Sequence, residues 1–196
     1  QTVSGTLTLT SGAFSIGAST LTLSAGITTT GGSLTGGTTS SITFATAGGG
    51  AATLPAVTLN NLTVNRTAGI TLGGAVSVGG TLTLTAGAIS SAGNLTLGNG
   101  ATISLAAGSL SGTPAFGTSV NVRYSATATT GSEIPASSSV LNNLAISDGT
   151  ITLGGPVTAN GSVTMTGGIL NTSAAGNYAL TVVGNLALGA NGTLFA

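Results

Sequence analysis

The run Leu59-Asn60-Asn61-Leu62-Thr63-Val64 and the run Gly80-Thr81-Leu82-Thr83-Leu84-Thr85 carry two periods at once. Within each run apolar and polar residues alternate, the mark of a half-buried strand. Between the runs, Leu62 and Leu82 are about 20 residues apart, too close for a domain repeat and right for one coil of a solenoid. Working outward, the apolar centres fall at Leu62, Ile70, Val76, Leu82, Ile89, Leu95, Ile103 and Leu110. Gly73-Gly74, Gly79-Gly80 and Asn99-Gly100 separate several of them, and such pairs supply the backbone freedom of tight turns. Every third centre advances by about 20 residues, so each coil holds three short strands. This arithmetic predicts an all-β fold, a parallel β-solenoid, in one domain over residues 1–196. Stacked at about 4.8 Å per coil, roughly ten coils make a rod of about 45–50 Å. Inward Leu, Ile and Val form apolar columns, and outward Thr and Ser form polar ladders that suit an extended backbone.

A longer repeat overlies the short one. Leu59-Asn60-Asn61-Leu62 returns as Leu141-Asn142-Asn143-Leu144, and Gly69-Ile70-Thr71-Leu72-Gly73-Gly74 as Thr150-Ile151-Thr152-Leu153-Gly154-Gly155. The run Gly80–Thr85 has counterparts in Gly161-Ser162-Val163-Thr164-Met165-Thr166 and Gly5-Thr6-Leu7-Thr8-Leu9-Thr10. The chain therefore divides into a partial block 1–58, a full block 59–140 and a partial block 141–196. An antiparallel sandwich is the competing architecture, since it too has many short strands and regular turns. Its turns come every 8–12 residues and its strands are longer, which favours the solenoid. Helix is a poor competitor throughout, with a short one near Ser137–Ser139 as a disfavoured alternative.

Composition removes whole classes of function. The only charged residues are Arg66, Arg123, Glu133 and Asp148, and Lys, His and Cys are absent. Nucleic-acid binding needs many Lys and Arg to neutralise phosphates. A glycosidase needs two carboxylates across one bond, and Glu133 and Asp148 are less than one coil apart in sequence, which puts them on different faces. Calcium takes 6–8 oxygen ligands, usually with several carboxylates. We therefore expect no catalytic residues, no metal and no cofactor. No apolar stretch is long enough for a membrane-spanning helix. The strands are too short, and the six aromatic residues too scattered, for a transmembrane barrel with its girdles. The Asn-x-Ser/Thr sequons starting at Asn61, Asn65, Asn94, Asn160, Asn171 and Asn191 are expected by chance in such a composition. Gln1-Thr2-Val3-Ser4-Gly5 has no signal-peptide character, and Gln1 is read as a mature terminus left after cleavage.

The blocks resemble secreted repeat proteins of the filamentous-haemagglutinin and large-adhesin type. Closest are the long surface proteins of Bacteroidota, through Leu59–Val64 and Gly80–Gly87. The resemblance implies a cell-surface or extracellular β-solenoid that serves adhesion or matrix building. It departs from the family in its short length and in having no sorting domain after Gly192-Thr193-Leu194-Phe195-Ala196. Beside it stands the reading from the residues: a structural protein whose partner is another copy of itself, joined head to tail. The expected joint is Val3, Leu7 and Leu9 at one end against Leu194 and Phe195 at the other, because uncovered strand edges pair with further strands. Arg66 and Asp148 occupy equivalent block positions; solvation of each is the favoured reading, and an ion pair between subunits is the alternative. The alternatives are an adhesin stalk or a carbohydrate-binding rod with surface glycans as partners. Ice binding is a further one, which the interruption of Thr81–Thr83 by Asn61–Thr63 and Thr102–Ser104 in neighbouring coils disfavours.

Overall fold

A computed structural model describes residues 1–45, 50–173 and 176–195. The chain winds as a parallel β-solenoid of about nine turns with about 20 residues per coil. All strand pairs among the described residues are parallel. That excludes the antiparallel sandwich. The fourth turn shows the plan: Asn61–Asn65 on a first face, Ile70–Leu72 on a second and Val76–Val78 on a third. The expected centres sort onto these faces as the spacing required. Leu62, Leu82 and Ile103 stack on the first, Ile70, Ile89 and Leu110 on the second, and Val76 and Leu95 on the third.

The first face is continuous from end to end. One interior column runs Val3, Leu23, Phe44, Val64, Leu84, Leu105, Tyr124, Ile146, Met165 and Leu188. From Leu23 to Met165 these side chains are buried. Each such Leu or Phe contributes about 1.5–3 kcal/mol by leaving water, so the column is a principal source of stability. On the outer side of the same strands Thr2, Thr22, Thr43, Thr63, Thr83 and Ser104 form an unbroken hydroxyl row, which Arg123 ends.

The Asn-Asn of the long repeat has a mechanical reason. Thr81 N donates to Asn61 Oδ1 at 2.8 Å, and Ser162 N donates to Asn143 Oδ1 at 2.8 Å. Each Asn thus ties the corner of its own turn to the start of the next one. The residue before each tied N–H is Gly80 or Gly161, whose own N–H donates to the carbonyl of Asn60 or Asn142. A Cβ at Gly80 would lie 2.8 Å from Asn61 Oδ1 and 2.9 Å from the Asn60 carbonyl oxygen. Asn99 and Gly117 repeat the device, with Thr118 N donating to Asn99 Oδ1 at 2.7 Å.

One expectation is corrected. Gly5–Thr10 does not share a frame with Gly80–Thr85: Leu7–Leu9 pairs with Ile27–Thr29 on the second face, whereas Thr81–Leu84 lies on the first. The first-face equivalent in the second turn is Thr20–Leu23. Faces built alike from alternating Leu and Thr make identical letters possible at different places. The segment near Ser137–Ser139, where helix is the disfavoured alternative, is a turn, in which the hydroxyls of Ser137 and Ser139 lie 3.1 Å apart. Serine competes for backbone hydrogen bonds and favours such turns. The helical segment among the described residues is a single 3-10 turn, Ala92–Asn94.

Candidate functional site

The final turn differs from every turn beneath it. Val163 and Met165 are fully buried, but Leu186 and Leu188, stacked directly on them, are 44% and 50% exposed. Val183 and Phe195 are exposed as well. All four large exposed hydrophobics among the described residues lie in this one region. Leu186–Phe195 pairs with Val163–Asn171 along one edge. Leu194 continues the inner row of the second face above Leu170 and is partly buried. Phe195 stands above Asn171 in the outer row, which passes through Thr152 and Thr129. The expected apolar pair Leu194 and Phe195 therefore splits, one side chain inside the coil and one outside. Leu186 and Leu188 take the place that Phe195 was expected to fill.

At the other end Val3 begins the same column that Leu188 finishes. Val3 and Leu7 are partly buried and Leu9 is buried. So the apolar residues expected at the joint do reach both ends of the stack, on the first and second faces.

The charged side chains are distributed unevenly. Arg66 is 3% exposed. Its Nε and Nη2 donate to the Gly50 carbonyl at 2.8 and 2.6 Å, and its Nη1 donates to the Ser24 carbonyl at 2.9 Å. It is a strut between turns. With its donors turned inward, Arg66 is not solvated as favoured above, nor does it present a cation to a neighbouring subunit for the alternative pair with Asp148. Asp148 is exposed, and its Oδ1 accepts a hydrogen bond from Gly149 N at 2.7 Å. Gly149 has a φ of 76°, the left-handed corner geometry that glycine takes without strain. Arg123 is exposed on the outer side of the first face.

Glu133 is buried in the seventh turn, where the loop 130–140 replaces a third-face strand. Its Oε1 accepts hydrogen bonds from Gly131 N at 2.8 Å and from the Tyr124 hydroxyl. Burial first, then the Glu133 charge and its hydrogen bond, raise the Tyr124 pKa well above its usual value near 10.0. Glu133 and Asp148 thus sit in different settings, one inside the coil and one at an outer corner, and do not flank a shared cleft. A hollow of about 170 Å³ beside the loop is lined by Thr130, Gly131, Ile134, Pro135, Pro156 and neighbouring small residues. A shallower one of about 400 Å³ lies along Leu34, Thr35, Thr58 and Ser77. Neither lining includes an ionisable side chain.

Among the described residues no helix is long and apolar enough to cross a membrane. No protein-family model matches the chain, and comparison with curated proteins and with solved structures gives no match.

Proposed function

We propose that this chain is a structural, self-associating protein of the cell surface or extracellular space, stacked end to end into a fibre. The observation that carries the reading is an unbroken parallel stack whose described surface holds only two exposed charged side chains, Arg123 and Asp148. Wherever such a stack ends, its apolar column meets water at a cost in proportion to the exposed area, and its strand edge accepts another strand. The first turn of a second copy satisfies both, placing Val3 above Leu188 in the same column. A contact of this kind is heterologous, does not close on itself and propagates as a fibre. The scarcity of charge supports the reading, because net charge near zero favours association. The resemblance to filamentous-haemagglutinin-type adhesins supports the location.

Electron microscopy of the native material is the test. Continuous fibres with the width of one coil are expected. Isolated rods of about 45–50 Å overturn fibre formation and leave a stalk. Leu188→Asp with Val3→Asp puts unpaired charge into the joint, where a buried unpaired charge costs about 3–5 kcal/mol. Fibres forming as readily from this variant, with its circular dichroism unchanged, refute the end-to-end joint.

A further inference from the structure

The charges left at the surface point to a second, lateral contact. Of the four charged side chains, Arg66 and Glu133 are buried, which leaves Arg123 and Asp148 outside. These two lie close together on the rod. Arg123 pairs in register with Ala145 of the next turn, and Asp148 stands three residues beyond Ala145 at the edge of the first face. At about 4.8 Å between strands and about 3.3 Å per residue, their Cα atoms are on the order of 11 Å apart.

We infer that rods associate side by side through the first face, with Arg123 of one copy on Asp148 of another and the reverse pair beside it. The inference rests on the self-association proposed above and names its lateral partner, a second copy of this chain. A two-fold axis parallel to the rods, in the plane of contact and midway across between the two residues, keeps the rods side by side and brings each Arg123 to within about one coil spacing, about 4.8 Å along the rod, of the other copy's Asp148, so that both ion pairs form together. The first face suits this geometry because its sheet runs unbroken through every turn, from Thr2–Val3 to Leu186–Phe195. Its outer rows are otherwise uncharged, mostly hydroxyls and amides such as Thr63, Thr83, Ser104 and Asn121, with Ala145 and Ala187 beyond Arg123. Those groups bond to water as well as to each other and set no register. Two charges on a neutral surface do set one, since any slip leaves them opposite uncharged groups. Arginine adds direction, because its planar fork matches a carboxylate with two hydrogen bonds.

The experiment compares the parent with Arg123→Glu, Asp148→Arg and the double exchange, each confirmed as folded by circular dichroism. Fibre width is measured by electron microscopy in about 0.05 M and about 1 M salt, between which the screening length falls from above 10 Å to about 3 Å. Parent fibres are expected to lie side by side in low salt and to separate into single fibres of unchanged length in high salt. Either single exchange abolishes the pairing, and the double exchange restores it. Pairing that persists in the single exchanges, or that the double exchange fails to restore, overturns the inference while leaving end-to-end stacking intact. If no fibres form, the stacking proposal fails separately. The lateral contact is then read by sedimentation, where a parent that is monomeric in low salt overturns it too.

Discussion

Tyr124→Phe is the substitution that most directly tests the account of the seventh turn. Tyr124 is fully buried, and its hydroxyl is one of the two donors to Glu133 Oε1 described above, the other being Gly131 N. Phenylalanine fills nearly the same volume, so the change removes a donor and makes no cavity. Glu133 then keeps one N–H in a position only 6% exposed. A hydrogen bond to a charged group contributes about 1.5–3 kcal/mol. The expected loss is about 2 kcal/mol, roughly thirty-fold in the folding equilibrium. Glu133→Leu removes the charge and leaves the phenol without an acceptor. Combining it with Tyr124→Phe removes both side-chain halves, and the cost that remains is the Gly131 N–H left without its acceptor, which Glu133→Leu alone carries as well. The double variant should therefore be more stable than the sum of the single losses predicts, by about 1–2 kcal/mol. Urea unfolding followed by far-ultraviolet circular dichroism gives the totals. Amide exchange over residues 120–152 reports whether the loss is local, as expected when each coil contacts mainly its neighbours. A Tyr124→Phe variant within about 0.5 kcal/mol of the parent, or single losses that add within that margin, would refute the reasoning.

Alkaline pH should act at the same place. The folded-state pKa of Tyr124 is raised, so the folded chain holds this proton more tightly than the unfolded one. Its contribution is complete below the unfolded pKa of about 10 and falls by up to about 1.4 kcal/mol per pH unit above it. In a Tyr178→Phe background, phenolate absorbance should appear only together with loss of circular dichroism, and a reversible titration near 10 in the folded protein contradicts this. Gly161→Ala should cost about 1–3 kcal/mol, because its Cβ would meet Asn142 Oδ1 at 2.6 Å and the Asn142 carbonyl oxygen at 2.9 Å. Gly155→Ala, with nothing within 4 Å of its Cβ, is the control and should unfold within about 0.5 kcal/mol of the parent. Arg66→Met keeps much of the apolar stem but leaves the Ser24 and Gly50 carbonyls without their donors. A loss of at least about 2 kcal/mol is expected in urea unfolding, and none at all would mean that Arg66 is no strut. Thr63→Lys and Thr83→Lys, in register on adjacent turns, should each be nearly neutral alone. Together they should cost roughly 1 kcal/mol more than their sum, a penalty that molar salt removes.

The stacking of turns was legible because burial writes itself into the letters. A residue that faces inward on every turn must be apolar on every turn, so Leu62, Leu82 and Ile103 announce their column by identity and spacing. What carried no such mark was missed. Gly5–Thr10 was placed in the wrong frame because all three faces use the same alternation, and only pairing distinguishes them. The interior role of Arg66 was invisible because its acceptors are backbone carbonyls, which leave no residue type to read. Tyr124 and Glu133 are nine positions apart and meet only because the third face is interrupted between them. The Asn61–Thr81 tie was half visible: both runs were recognised as repeated, and the glycine at the start of the second was the available sign that another group comes close.

The shortage of charge follows from the same stacking. In a solenoid each outer residue has its equivalents directly above and below, at about 4.8 Å. A repeated charge would therefore meet its own kind in every turn, at about 0.9 kcal/mol per contact even in water and several-fold more beside protein. Hydroxyls and amides escape this because each carries both a donor and an acceptor. Asn142 and Asn143 donate to Asn121 Oδ1, and Asn121 Nδ2 donates to the Gly100 carbonyl. Asn61 Nδ2 donates to Ser41 Oγ in the turn below while its Oδ1 accepts from Thr81 N in the turn above. A chain grown by repetition thus keeps residues that bond favourably to copies of themselves. Three of the four charges that remain show why they are kept, since their rows do not repeat them: Arg66 inside the coil, Glu133 under a tyrosine, and Arg123 between Ser104 and Ala145. A surface built this way has little to hold copies apart, which is the physical basis for reading it as a material that assembles.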